Sequence, residues 1–314
     1  MENLITQTKT IQGLVAYTKS HRNFNAKTVL EHKVKLINQF FKNEGLDSAV
    51  IALSGGIDSA LVFKLLLKAA SQRNSPLHKI SAIFLPIYCK GTTGQKDAEV
   101  HVKQLIGTCK EENIYSYSKY ELSSAAYEYY RAMNLLNKDS DQMRFVHGQI
   151  ASIVRTPVTY GEAALLQTEG YKSIVVGTTN RDEGAYIGFF GKASDGMVDL
   201  QPIADLHKSE VIELSKLLGV PATIINRKPV GDVWDGKCDE EMIGAPYWFL
   251  EMYQILKQLE NEPYLTETLQ ELTDCPEAIQ WAKNIERLHQ KNKHKYVVGN
   301  PARFIDVLQR EIIY

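Results

Sequence analysis

Apolar and polar positions change period along the chain, and those changes mark out the elements. Between residues 28 and 44, Val29, Leu30, Val34, Ile37, Phe40 and Phe41 recur at helical spacing, with Gly45 as the stop. Residues 49–53 (AVIAL) are a short apolar run, which predicts a strand buried on both faces. Ser54-Gly55-Gly56 breaks that run, and the segment from Ile57 to Ala70 predicts a helix. A second unit repeats the order: strand 79–85, a glycine-containing loop, and helix 95–107. Residues 113–117 predict a third strand, 173–179 another buried strand, and 207–219 a helix ending at Gly219-Val220-Pro221. Alternating strands and helices predict an α/β fold, a doubly wound parallel sheet with helices on both faces. From about residue 239 the pattern is helical and more charged, which predicts a helical C-terminal part. Residues 1–27 are polar and weakly patterned, and are expected to form a loose or irregular N-terminal extension before a main domain at 28–314.

Composition narrows the function class. In 314 residues, Lys+Arg total 36 and Asp+Glu 37, a net charge of −1, which argues against a nucleic-acid-coating surface. Apolar residues make up 44%, enough for a substantial core. No apolar stretch is long enough for a membrane helix, and Met1 to Thr10 has no apolar signal core, so a cytoplasmic protein without a membrane partner is expected. Cys89, Cys109, Cys238 and Cys275 form no CxxC pair, so neither a zinc ribbon nor a disulfide scaffold is expected.

The chemistry concentrates at Ser54-Gly55-Gly56-Ile57-Asp58-Ser59. A strand ends, two glycines turn the chain, and a helix begins. Glycine allows close backbone approach to a ligand, and the helix start offers free N–H groups to an anion. Ser54 and Ser59 add hydroxyls, and the Asp58 carboxylate beside a phosphate site calls for a divalent cation. The Lys-Ser/Thr of a Walker loop is absent, so γ-phosphate transfer is not indicated. SGGIDS resembles the pyrophosphate loop of the ATP pyrophosphatase (PP-loop) superfamily, whose members cleave ATP to AMP and diphosphate while activating an acceptor oxygen.

Further blocks sharpen the resemblance. Gly177-Thr178-Thr179-Asn180-Arg181-Asp182-Glu183, then Gly188 to Ile203 (GFFGKASDGMVDLQPI), His207-Lys208, Leu218-Gly219-Val220-Pro221, and the stretch from Pro229 to Glu240 are together similar to the synthetase domain of NAD synthase. That resemblance spans roughly residues 28–310. It implies an adenine nucleotide alpha hydrolase-like fold and an ammonia-dependent ligase, working as a homodimer on ATP, deamido-NAD and ammonia with Mg²⁺.

By position, the resemblance implies that Ser54, Gly55, Gly56, Ile57, Asp58 and Ser59, with Thr178 and Lys208, bind ATP. It implies that Asp58 and Glu183 hold Mg²⁺, and that Arg155, Lys192, Asp199, His294 and Lys295 bind deamido-NAD. Asp195 lies beside the reacting carboxyl and is the candidate proton acceptor, with Lys208 neutralising the departing diphosphate. Phe189 and Phe190 are candidates to pack against a flat ring.

Three departures from the family pattern surround the acceptor. Pro157 follows Arg155-Thr156 where the family has a second Arg, and is expected in a first helical turn with Arg155 at its entrance. Val230 replaces a phosphate-contacting Thr. The stretch from Glu183 to Gly188 is one residue longer than usual, with Gly184 placed to absorb it. These departures keep open an amidating ligase for another carboxylate. No glutaminase signature accompanies the blocks, so the expected nitrogen source is free ammonia.

Overall fold

The structure is a computed structural model that describes residues 10–88, 93–109, 113–136, 140–227, 238–259, 265, 268–270, 272, 274–297 and 303–304. Cys89 and the segment carrying Val230 lie outside the described residues.

Six parallel strands form one sheet: β1 (Ser48–Ala52), β2 (Lys79–Phe84), β3 (Tyr115–Lys119), β4 (Ser173–Val176), β5 (Leu200–Gln201) and β6 (Arg303–Phe304), in spatial order β3-β2-β1-β4-β5-β6. The order reverses between β1 and β4, whose register runs from Ser48 opposite Ser173 to Ile51 opposite Val176. In open α/β sheets a crevice opens at the carboxyl ends of the strands where the order reverses. The segments that leave β1 and β4 there are the SGGIDS loop and Gly177-Thr178.

Side chains alternate along the central strands. Ala49 and Ile51 of β1, with Ile80, Ala82 and Phe84 of β2, pack into a core shared with α2 (Ala26–Asn43), α3 (Ile57–Ala70), α4 (Thr93–Gly107) and α7 (Lys208–Leu217). Val50, Ile83 and Val175 face the opposite way, against α5 (Ser123–Ala132) and α6 (Asp141–Thr168). Helix α3 is apolar nearly all round because it is the layer between sheet and outer helices, and Phe63, Leu65 and Leu66 are fully buried in it.

Two sequence expectations need correction. Residues 11–22, expected to be loose or irregular, form helix α1 (Ile11–Arg22), capped by the Thr10 hydroxyl accepting from the Gly13 amide at 3.2 Å. Leu14 and its neighbours Ile11 and Val15 pack into a separate helical core with α10 (Tyr247–Leu259) and α11 (Ala278–Asn292). The stripe is too sparse to stand out locally, and only those distant helices give it a surface to cover. Pro157, expected in a first helical turn, sits in the middle of α6, which begins sixteen residues earlier behind the Ser140 cap. Proline there removes the bond to the carbonyl four residues back, a cost that the packing of a 28-residue helix tolerates.

Candidate active site

A cavity of about 900 Å³ opens over the carboxyl ends of β1 and β4, large enough for a nucleotide with part of a second ligand. A smaller one of about 150 Å³ adjoins it, and both are lined by Ser54, Arg155, Thr178 and Asp195.

The SGGIDS loop is knitted from within. Gly55 has φ +76°, a conformation open to glycine, and a Cβ there would lie 2.7 Å from the Ala98 carbonyl oxygen of α4. The Ser54 amide donates to the Ser59 hydroxyl at 3.1 Å, and the Gly56 amide to the Ser54 hydroxyl at 3.2 Å. Ser54, Gly56, Ile57 and Asp58 face the cavity. The Ser59 side chain is buried beneath them, so its hydroxyl shapes the loop. Arg227, just beyond α8 (Ala222–Ile225), lines the same end of the cavity.

Three charged side chains from distant parts of the chain meet at the floor. Lys208, the first residue of α7, directs Nζ to Asp58 Oδ2 at 2.6 Å and to Glu183 Oε1 at 3.4 Å. Asn180 donates to both carboxylates, at 3.0 and 2.9 Å, and the Tyr247 hydroxyl donates to Glu183 at 2.8 Å. Burial, with Asp58 and Asp239 nearby, pushes the Glu183 carboxyl up to about 7, while Lys208 opposes the rise. Burial alone would lower the Lys208 ammonium, but Asp58 and Glu183 outweigh it and hold the group above its usual range. Asp58 and Glu183 are hard oxygen donors held side by side on one cavity wall, a donor set that fits Mg²⁺. That ion takes one or two carboxylates and completes its shell with phosphate oxygens and water. Among the described residues, no group of three or more His, Cys, Asp or Glu side chains is arranged to hold a metal by protein donors alone.

Glu183 lies in a π-helical turn, Asp182–Tyr186. Gly184 in that turn faces Thr179, whose Cγ2 would be 2.9 Å from an added Cβ. The C-terminal helices clamp the segment. The Tyr296 hydroxyl donates to the Gly184 carbonyl, Asn292 to the Ile187 carbonyl at 2.8 Å, and Lys295 Nζ to the Gly188 and Phe190 carbonyls at 2.7 and 2.5 Å. Tyr296 is therefore a structural tie to the π-turn.

Arg155, Lys192, Asp195, His294 and Lys295, which the sequence resemblance assigns to the acceptor, line the same cavity together with Phe189 and Phe190. Arg155 is reached from mid-helix, not from a helix entrance, and its Nε donates to the Leu85 carbonyl at 3.0 Å beyond β2. Asp195 keeps an exposed edge, yet the surrounding walls push its carboxyl above the usual range, with Arg155 opposing. Burial, reinforced by Lys291, lowers Lys295 to about 8. Asp199 is not brought to the cavity: its Oδ2 accepts the Val175 amide at 2.7 Å and ties the chain before β5 to β4. Tyr247, Asp239, Arg227 and Tyr296 were not assigned from the sequence. Asn180 lay inside a quoted block but carries no signal until its amide is seen bridging two carboxylates.

The sequence profile of NAD synthase matches residues 29–298. The chain belongs to the NAD synthase family. It is 32% identical over 266 residues to an NH(3)-dependent NAD(+) synthetase of Thermoplasma volcanium, covering 84% of this chain and 94% of the relative. A counterpart of the same description from Picrophilus torridus is 34% identical over 243 residues, covering 73% of this chain and 82% of its own. Among solved structures, the NMN synthetase of Francisella tularensis superposes with a TM-score of 0.65 at 25% identity, covering 87% of this chain and 96% of that one. As a member of this family the chain is an ATP-using ligase.

Proposed function

We propose that the chain is an ammonia-dependent NAD synthase, converting deamido-NAD, ATP and ammonia to NAD, AMP and diphosphate. The observation that carries this reading is the meeting of Lys208, Asp58 and Glu183 beside the SGGIDS loop, with a cationic acceptor wall across the same cavity. ATP phosphates lie on the loop amides and the start of α3, where the helix dipole favours anions. The nicotinate carboxylate attacks the α-phosphorus, the bond to the β-phosphate oxygen breaks, and diphosphate leaves beside Lys208 and Arg227. Ammonia then attacks the acyl carbon, expelling AMP and forming the amide, and Asp195 takes the proton that the nitrogen sheds. Asp58 and Glu183 would hold Mg²⁺, which would supply positive charge to offset that of the phosphates. Catalysis rests on positioning and on charge neutralisation in a partly desolvated floor.

A second reading, amidation of a smaller nicotinate carboxylate such as the mononucleotide, is supported by the likeness to the Francisella NMN synthetase. Asp199 supports it too, because its carboxylate is engaged with the Val175 amide and not with the cavity. An endpoint assay with ATP, Mg²⁺ and ammonium, run with each acceptor in turn and quantifying AMP and amide, separates the two. Purified chain is expected to amidate deamido-NAD with ammonium and to be inactive with glutamine as sole nitrogen source. Activity should rise with pH as ammonium gives way to ammonia, the nucleophilic form. AMP release with the mononucleotide alone transfers the assignment to the second reading.

Arg155 and Lys192 serve the acceptor, because a dinucleotide brings two phosphate charges and a carboxylate. Losing one such contact costs about 1.5–3 kcal/mol, or roughly one to two decades in kcat/KM. Arg155→Ala and Lys192→Ala are each expected to raise KM for deamido-NAD by about that factor while KM for ATP moves little. Steady-state titration of each substrate checks this, and the opposite split reassigns both residues to ATP.

A homodimer is supported by the exposed apolar side chains on and beside α5 and α6, Tyr127, Tyr129, Met133, Ile153 and Leu165. Light scattering is expected to give twice the chain mass, and a monomer at assay concentration removes this proposal.

A further inference from the structure

Beneath the cavity floor, buried polar and charged groups run unbroken from α1 to the backbone of Lys208. Arg22, the last residue of α1, is 4% exposed and forks onto Glu210, with Nε to Oε1 at 2.6 Å and Nη2 to Oε2 at 2.9 Å. Its Nη2 also donates to the Asp205 carbonyl at 2.5 Å. Glu210 Oε2 in turn accepts the His207 amide at 2.9 Å. His207 Nδ1 lies 2.6 Å from Asp182 Oδ1, and Asp182 Oδ2 accepts the Lys208 amide at 2.7 Å. Every member is at least nine-tenths buried.

Docking α1 does not require this chain. Apolar side chains of similar volume would hold the helix without the cost of desolvating an ion pair, and Leu14 already does so one face over. The network instead ends on the two amides at the start of α7, which set where the Lys208 side chain leaves the backbone. Charged groups close to Asp182 and His207 are Lys208, Arg181, Arg22, Glu210 and Glu251. Its far end, Arg22, lies outside the residues matched to the family, 29–298.

We propose that Arg22, the last residue of α1, is a positioning residue for Lys208, acting through Glu210 and His207. This rests on Lys208 serving the diphosphate, as argued above. Outer partners that orient metal ligands change affinity or activity by about 10–100-fold when removed, and the lower end of that scale is taken for Lys208. Arg22→Met is therefore expected to lower kcat and the affinity for inorganic pyrophosphate by about tenfold, with acceptor KM unchanged. In a Lys208→Ala background it should change pyrophosphate affinity no further.

Arg22→Met leaves Glu210 buried without its partner and can fail to fold. Arg22→Met/Glu210→Leu removes both charges, should fold, and should show the same losses. Leu14→Ala is the control: it should melt at lower temperature yet keep wild-type kcat and pyrophosphate affinity well below its melting midpoint. Calorimetric titration with pyrophosphate and steady-state kinetics read all of these. Wild-type pyrophosphate affinity in the Arg22→Met/Glu210→Leu variant overturns the proposal, as does an undiminished Arg22 effect without Lys208, or an equal loss in Leu14→Ala. The pyrophosphate titration needs no acceptor, so it decides the role of Arg22 even if neither nicotinate acceptor is amidated.

Discussion

Asp58→Ala and Glu183→Ala are each expected to abolish AMP formation, lowering turnover by at least about a hundred- to thousandfold, the range seen when a preorganised group at developing charge is removed. The reason is geometric. Asp58 Oδ2 and Glu183 Oε1 both contact Lys208 Nζ, and Asn180 holds the two carboxylates together with bonds of 3.0 and 2.9 Å. Removing either takes away a proposed Mg²⁺ donor and frees Lys208 to swing toward the remaining acid. Loss of Glu183 also leaves the Tyr247 hydroxyl without its acceptor. Both acids sit at the cavity surface, so the fold should survive, and thermal melting should show it. Near-wild-type turnover with Mg²⁺ in either folded variant would remove the metal assignment.

Gly55→Ala is expected to raise KM for ATP by at least about a hundredfold, corresponding to roughly 3 kcal/mol of lost binding. Two effects act together. At φ +76° a Cβ meets the strain of the left-handed region, worth about 1–2 kcal/mol. It would also stand 2.7 Å from the Ala98 carbonyl oxygen and 2.8 Å from its Cα, both backbone atoms of a packed helix. Neither can move aside cheaply, so the loop must shift and its amides lose their aim. Gly45 is the internal comparison, with φ +65° and nothing within 4 Å of an added Cβ. Gly45→Ala should carry only the conformational cost, lowering the melting temperature by a few degrees with ATP kinetics unchanged. Equal kinetic effects at the two glycines would show that close packing against α4 is not what shapes the phosphate loop.

Local pattern was enough for the strand–helix alternation, the parallel sheet, and the placing of a phosphate loop between β1 and α3. Each follows from the period of a few neighbouring side chains and from glycines at a turn, and the strands and helices given bounds from the pattern lie within two or three residues of them, while α5, α6, β5 and β6 were given none. Asp58, Glu183 and Lys208 were legible as candidates because their neighbours in sequence carry a family pattern. Their meeting was not legible. It depends on β4 pairing beside β1, which brings residues 58, 183 and 208 to one crevice. The same dependence hid Tyr247 and Tyr296, ordinary aromatics until α10 and the C-terminal helices dock on the π-turn. It also misplaced Arg155. A proline reads locally as a helix start, and only burial along the whole of α6 makes it an interior residue. Asp199 shows the reverse case: its neighbours suit a ligand contact, but the register of β5 beside β4 turns its carboxylate onto a backbone amide. Arg22 is the furthest example, because nothing near it in the chain is its partner. A period is set by atoms a few residues apart and survives in one dimension. A charge network is set by distances across the fold, and only the packed chain decides it.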